Sequence, residues 1–166
     1  MELTEEDLVY TAGEREVLEA FLDAHRRVAV DKLRGLSEAD ARRRLVPSMT
    51  TPIGLVKHLT GVERNWFQHT VAGRPRDEIA GESRGGEDSW VISDEETIDG
   101  IIATYEDACA ESRRIAARLP LDHVMPHDRL GEVSLRWVYV HLIREHARHD
   151  GHADILREQI DGVTGA

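Results

Sequence analysis

The chain has 166 residues, of which 40% are hydrophobic, and reads as one globular domain, residues 1–166, long enough to bury a core without covalent staples. Its 21 basic against 32 acidic residues leave a net charge of −11, which opposes a polyanionic partner and excludes nucleic acid from the expected ligands. A single cysteine, Cys109, excludes an intramolecular disulfide and a Cys-rich zinc site, so any metal must be held by His and carboxylate.

The first apolar pattern, Val17, Leu18, Phe21, Leu22, Val28 and Val30, recurs mostly at helical spacing and predicts a helix over residues 14–33 that ends near Gly35. Ser37 followed by Glu38 and Asp40 predicts one or two further turns before Pro47. Thr51 then caps a second long helix with Pro52 at its first position. Leu55, Leu59, Val62 and Trp66 form its buried face until about Gly73. Residues 74–89, with Pro75, Gly81, Gly85, Gly86 and many charges, are expected to be a surface loop. Ser93 and Glu96 have capping-box spacing ahead of Ile98, Ile101, Ile102, Tyr105, Ala108, Ile115 and Leu119, a third long helix stopped by Pro120. Residues 121–133 hold Pro126, Asp128 and Gly131 and read as an irregular connection with room for a short extended turn. The last helix runs from Ser134 to about Asp161.

No segment sustains a period of two and no repeat is visible, so the expected class is all-α, a four-helix bundle with long connections. No apolar run approaches the roughly 18 residues of a membrane span, and the acidic start is unlike a signal peptide. The expected compartment is therefore the cytoplasm, with no membrane partner.

The last helix carries the chemistry. Its apolar stripe of Leu135, Val138, Leu142, Leu156 and Ile160 is interrupted by Glu145, His149 and His152. Glu145 and His149, four apart, share one face. Burying a carboxylate and an imidazole together is costly unless something compensates, and a divalent metal does so. His58, on the buried side of the second helix, is the natural third ligand, since bundles build metal sites from inward side chains on facing helices. Three N/O ligands leave one position open, the mark that separates catalytic from structural zinc sites. The set suits zinc and also accepts nickel or iron. Because His must be neutral to ligate, activity is expected to fall below about pH 6.

His152 is read as a partner lying behind the ligands, with Asp154 and Arg157 as candidates to orient it or a neighbour. Gly151 would be tolerated in mid-helix if a backbone or substrate approached closely there. His25, His69, His123, His127, His141 and His146 are assigned to packing, capping or the surface, although the loop with His123 and His127 could line a pocket mouth. Trp66 and Trp137 are expected in the core, Trp90 over a loop, and none of the three as a recognition residue. Cys109 reads as a packing residue, and Arg144, Arg148 and Arg157 as a solvated face.

The combination Val56-Lys57-His58-Leu59 with the run His141 to Glu158, including Glu145-His146-Ala147-Arg148-His149-Asp150-Gly151-His152, resembles the DinB-like superfamily over residues 49–162. Within it the chain is most similar to a branch of mycothiol-producing bacteria related to mycothiol-dependent maleylpyruvate isomerase and, further off, to bacillithiol transferases. Those relatives are four-helix bundles with a three-ligand divalent metal, so the resemblance implies metal roles for His58, Glu145 and His149. Many members carry His at the position of Glu145, whereas the isomerase group, like this chain, uses Glu. The implied chemistry is activation of a low-molecular-weight thiol, mycothiol or a similar one, toward an electrophilic substrate. A non-enzymatic ligand-binding or structural metalloprotein and a metal-dependent hydrolase are the alternatives. A homodimer suits a bundle of this size, though no interface signature stands out.

Overall fold

The computed structural model describes residues 3–165. Helix α1 (Glu14–Asp31) is followed by the single turn α2 (Glu38–Ala41), where the Ser37 hydroxyl accepts from the Asp40 amide. Helix α3 (Pro52–Glu63) starts as expected, with Thr51 accepting from the Gly54 amide and Pro52 where its missing N–H costs nothing. It continues as a π-helical segment over Arg64–Val71, closed by the Ala72 amide donating to the Phe67 carbonyl. That wider winding is absent from the sequence reading, which has one regular helix to about Gly73.

Helix α4 (Ile98–Ala116) is capped by Thr97, whose hydroxyl accepts from the Gly100 amide. Ser93 and Glu96 do bond to one another, the Ser93 amide donating to Glu96 Oε2, but as a turn before the helix rather than its cap. Glu96 accepts from Lys57 on α3 as well as from Ser93, and the helix opens at Ile98, on the Thr97 cap. A small antiparallel hairpin, β1 (Val124–His127) and β2 (Gly131–Ser134), pairs Met125 with Val133. The fold is thus mainly α with this one hairpin where the sequence left room for an extended turn. Helix α5 (Leu135–Asp161) is capped by Ser134 and ends at Gly162, whose φ of 78° is the left-handed conformation glycine adopts freely.

The four long helices pack α1 against α5 and α3 against both α4 and α5. One core joins Leu22, Phe67, Val138, Tyr139 and Leu142, and a second joins Val30, Leu33, Ile53, Leu59, Ile101 and Tyr105. Helices α3 and α5 run antiparallel: the His58 and His149 ring centroids lie 4.8 Å apart. Eight residues on from His58 and eight back from His149, Trp66 meets His141 at 4.5 Å.

The buried face of α5 differs from the expected one in a telling way. Leu135, Val138, Leu142, His146, His149, Ala153 and Leu156 are buried, so His146 completes the stripe. Glu145 lies at its edge and His152 is exposed. The cause is geometric, since steps of four and three from Leu142 fall on His146 and His149, whereas His152 is turned a further 60° or so off that line.

Candidate metal centre

Ligand atoms of His58, Glu145 and His149 all lie within 4.8 Å of one another, between α3 and α5. His58 and His149 are buried and Glu145 is half-buried. His149 Nε2 stands 3.4 Å from Glu145 Oε1. That is long for a charge-assisted hydrogen bond, and close to the roughly 3.3 Å between two donors on one tetrahedral zinc ion. His149 Nδ1, the ring's other nitrogen, is buried without a hydrogen-bond partner. Two imidazoles and a carboxylate converging in this way fit a site built for a cation.

The tautomer of His58 follows from its neighbour. The Ser89 hydroxyl gives its one proton to the Gly86 carbonyl, so toward His58 Nδ1, at 2.9 Å, it can only accept. Nδ1 therefore carries the hydrogen and Nε2 keeps its lone pair free to ligate. Burial and the neighbouring His149 push the His58 imidazole down to about 4, which also keeps it unprotonated. The hydrogen bond from His149 holds the Glu145 carboxyl down at about 2, ionised as a ligand must be.

Trp90 covers the centre, its indole stacked on His58 at 4.3 Å and tilted against His149 at 5.6 Å. Ser89 is the last residue of the stretch expected to be a plain surface loop, and Trp90 follows it directly. Gly61 lets that stretch approach α3: a Cβ there would stand 3.2 Å from the Gly85 amide nitrogen and press on the Glu82 carboxylate. A helix-interior glycine, costing about 1 kcal/mol relative to Ala, was the available sign of this close contact.

His152 lies outside the three-residue cluster and touches His149 ring edge to ring at 5.5 Å, from an exposed position. Several other expectations need correction. Asp154 and Arg157 do not orient His152. Asp154 pairs with Lys32, and Arg157 donates to the Lys32 and Arg34 carbonyls and to Asp161, so both tie α5 to the end of α1. Arg157 is buried rather than solvated. Nothing lies within 4 Å of a Cβ placed on Gly151, so no close approach explains it. Trp137 is 40% exposed, not core, because it stacks on His141 at the rim of a groove. Cys109 is buried as expected, and burial pushes its thiol far up, away from nucleophilic use.

The model of the mycothiol S-transferase family matches residues 17–162. The chain belongs to this family. No curated protein matches it. The match places the mycothiol S-transferase likeness across all four long helices, wider than residues 49–162 from which the motifs of α3 and α5 suggested a DinB-like relative. Each of the three clustered residues lies inside it.

A second buried constellation escaped the sequence reading. Arg26 on α1 grips Glu63 at the end of α3 with two hydrogen bonds of 2.8 and 2.7 Å. His146 Nε2 lies 3.3 Å from Glu63 Oε1 and 3.1 Å from the Tyr105 hydroxyl on α4. The His146 Nδ1 hydrogen goes to the Leu142 carbonyl at 2.9 Å. Burial works to raise the Glu63 carboxyl, yet Arg26 and His146 outweigh it and hold it far below the carboxylate range. This group binds four helices together one turn beneath the centre.

Proposed function

We propose that the protein is a metal-dependent mycothiol S-transferase whose divalent ion, zinc in the first instance, is held by His58, Glu145 and His149. The observation that carries this reading is the convergence of these three groups, with His58 locked by Ser89 in the ligating tautomer. When bound, the ion would lower the pKa of a low-molecular-weight thiol so that thiolate is present at neutral pH.

The chain's own residues account for the rest. Two neutral imidazoles and one carboxylate cancel only half of a divalent charge, so the centre stays cationic toward an incoming thiolate. His152, outside the cluster, leaves the remaining position to an external ligand, which favours catalytic over closed structural use. Trp90 shields one side from water and strengthens the attraction between thiolate and centre. With Cys109 buried, the nucleophilic sulfur must come from the co-substrate.

Elemental analysis of untagged protein tests the centre: about one equivalent of metal in the native chain and far less in His58→Ala and Glu145→Ala. Equal content in all three would remove it. Incubation with mycothiol and monochlorobimane, followed by mass spectrometry, tests the transfer. A metal-dependent adduct is expected, and an adduct no greater than the uncatalysed background would overturn it.

A further inference from the structure

The π-helical segment, the β1–β2 hairpin and the first half of α5 enclose a groove of about 820 Å³ that the ligand cluster does not use. Its floor is Trp66. Around this buried indole stand His127, stacked at 5.2 Å, His141 at 4.5 Å and Trp137 at 5.3 Å. Trp137 lies flat on His141, with ring centroids 4.9 Å apart and planes 10° from parallel, and leaves 40% of its surface open. So much exposed indole, held in place by other rings, is an aromatic surface without a partner.

Hydrogen bonding fixes what the two imidazoles offer. Arg144 Nη2 lies 3.0 Å from His141 Nδ1, and a guanidinium only donates, so Nδ1 accepts and Nε2 carries the hydrogen. His127 Nδ1 likewise accepts from the Arg129 and Leu130 amides, which again leaves the hydrogen on Nε2. Neither Nε2 has a protein acceptor among the described residues. The groove therefore presents two free N–H donors beside the guanidinium groups of Arg129 and Arg144, against Asp128 as the lining's single carboxylate. On a chain of net charge −11, this is a local reversal of sign.

Its position ties it to the centre. His141 is two helical turns before His149 on α5, about 12 Å at 1.5 Å per residue. Arg144 directly precedes Glu145. A ring lying in the groove is too far away to hold the reacting atom, so only a substrate with an extension of about that length would bring its electrophile to the centre.

We propose that this groove binds the non-reacting part of the electrophilic substrate, and that this part is a flat aromatic ring bearing a carboxylate or sulfonate. The proposal rests on the thiol-transfer reading for the word substrate, but the groove's binding chemistry stands apart from it. The rings supply stacking, and Arg129, Arg144 and the two Nε2–H groups supply the anion contact.

Calorimetric titration of the full-length metal-loaded protein with 2-naphthoate tests this, with 2-naphthalenemethanol as the uncharged ring and cyclohexanecarboxylate as the anion without a flat ring. Saturable naphthoate binding is expected, with each comparator at least tenfold weaker. Trp137→Ala and Arg144→Gln, both at exposed positions and checked for fold by circular dichroism, should each weaken naphthoate about tenfold. Glu145→Ala should keep naphthoate binding while losing metal, so failure of the groove and failure of the thiol reading are told apart. No saturation by concentrations on the order of 10 mM, equal binding of the uncharged ring, or unchanged affinity in Trp137→Ala would each overturn the proposal.

Discussion

Ser89 decides which nitrogen of His58 faces the centre, although it touches no other clustered residue. Ser89→Ala removes the acceptor that holds the tautomer, and metal affinity is expected to fall by about 10- to 100-fold in a competition titration against a chromogenic chelator. Acid sensitivity also belongs to this residue. His58 is pushed down to about 4 in the folded chain from an ordinary 6.5, so below pH 6.5 the unfolded chain takes up the proton first. Stability of the metal-free protein should therefore be complete above about pH 6.5 and decline toward pH 4, by on the order of 3 kcal/mol. Urea unfolding across that range checks this, and His58→Gln should flatten most of the slope.

At the scale of elements, the centre depends on how closely the stretch from Glu82 to Trp90 lies on α3. Gly61 permits the approach, and Gly85, at a φ of 65°, makes the tight turn that uses it. Gly61→Val would drive a branched side chain into the Gly85 backbone. A loss of about 1–3 kcal/mol is expected in thermal or denaturant unfolding, despite the better helix propensity. The same variant should bind metal more weakly, because Ser89 and Trp90 would lift from His58. Helix α5 was foreseen almost to the residue because Ser134 and Gly162 are local signals acting on their own backbone. The Ser93–Glu96 bond forms as a turn ahead of the helix, with Glu96 also tied to Lys57 across the bundle, and Thr97 supplies the cap.

Over the whole molecule, Arg26, Glu63, His146 and Tyr105 join the four long helices in a buried polar group. Glu63→Ala would strand the Arg26 charge and is expected to cost about 3–5 kcal/mol in equilibrium unfolding. The double variant Arg26→Met, Glu63→Leu should recover most of that loss, since packed apolar groups replace a buried pair nearly without penalty. Because the Glu63 carboxyl is held far below its ordinary 4.5, its contribution is present above that value and vanishes only in strong acid. The decline between pH 6.5 and 4 thus belongs chiefly to His58, with contributions of the same sign from His141 and His152, and not to this network.

Most helix starts and stops, the mainly helical class and the three residues that cluster between α3 and α5 were legible from the chain alone. Caps, proline positions and apolar spacing act over a few neighbours, and the family pattern in α3 and α5 singled out His58, Glu145 and His149. Tertiary structure decided what long-range contact controls: the cover of Ser89 and Trp90, the burial of His146 in place of His152, and the rings gathered at Trp66. A side chain's neighbours across a bundle depend on the crossing and register of helices dozens of residues apart, and no spacing within one helix encodes them.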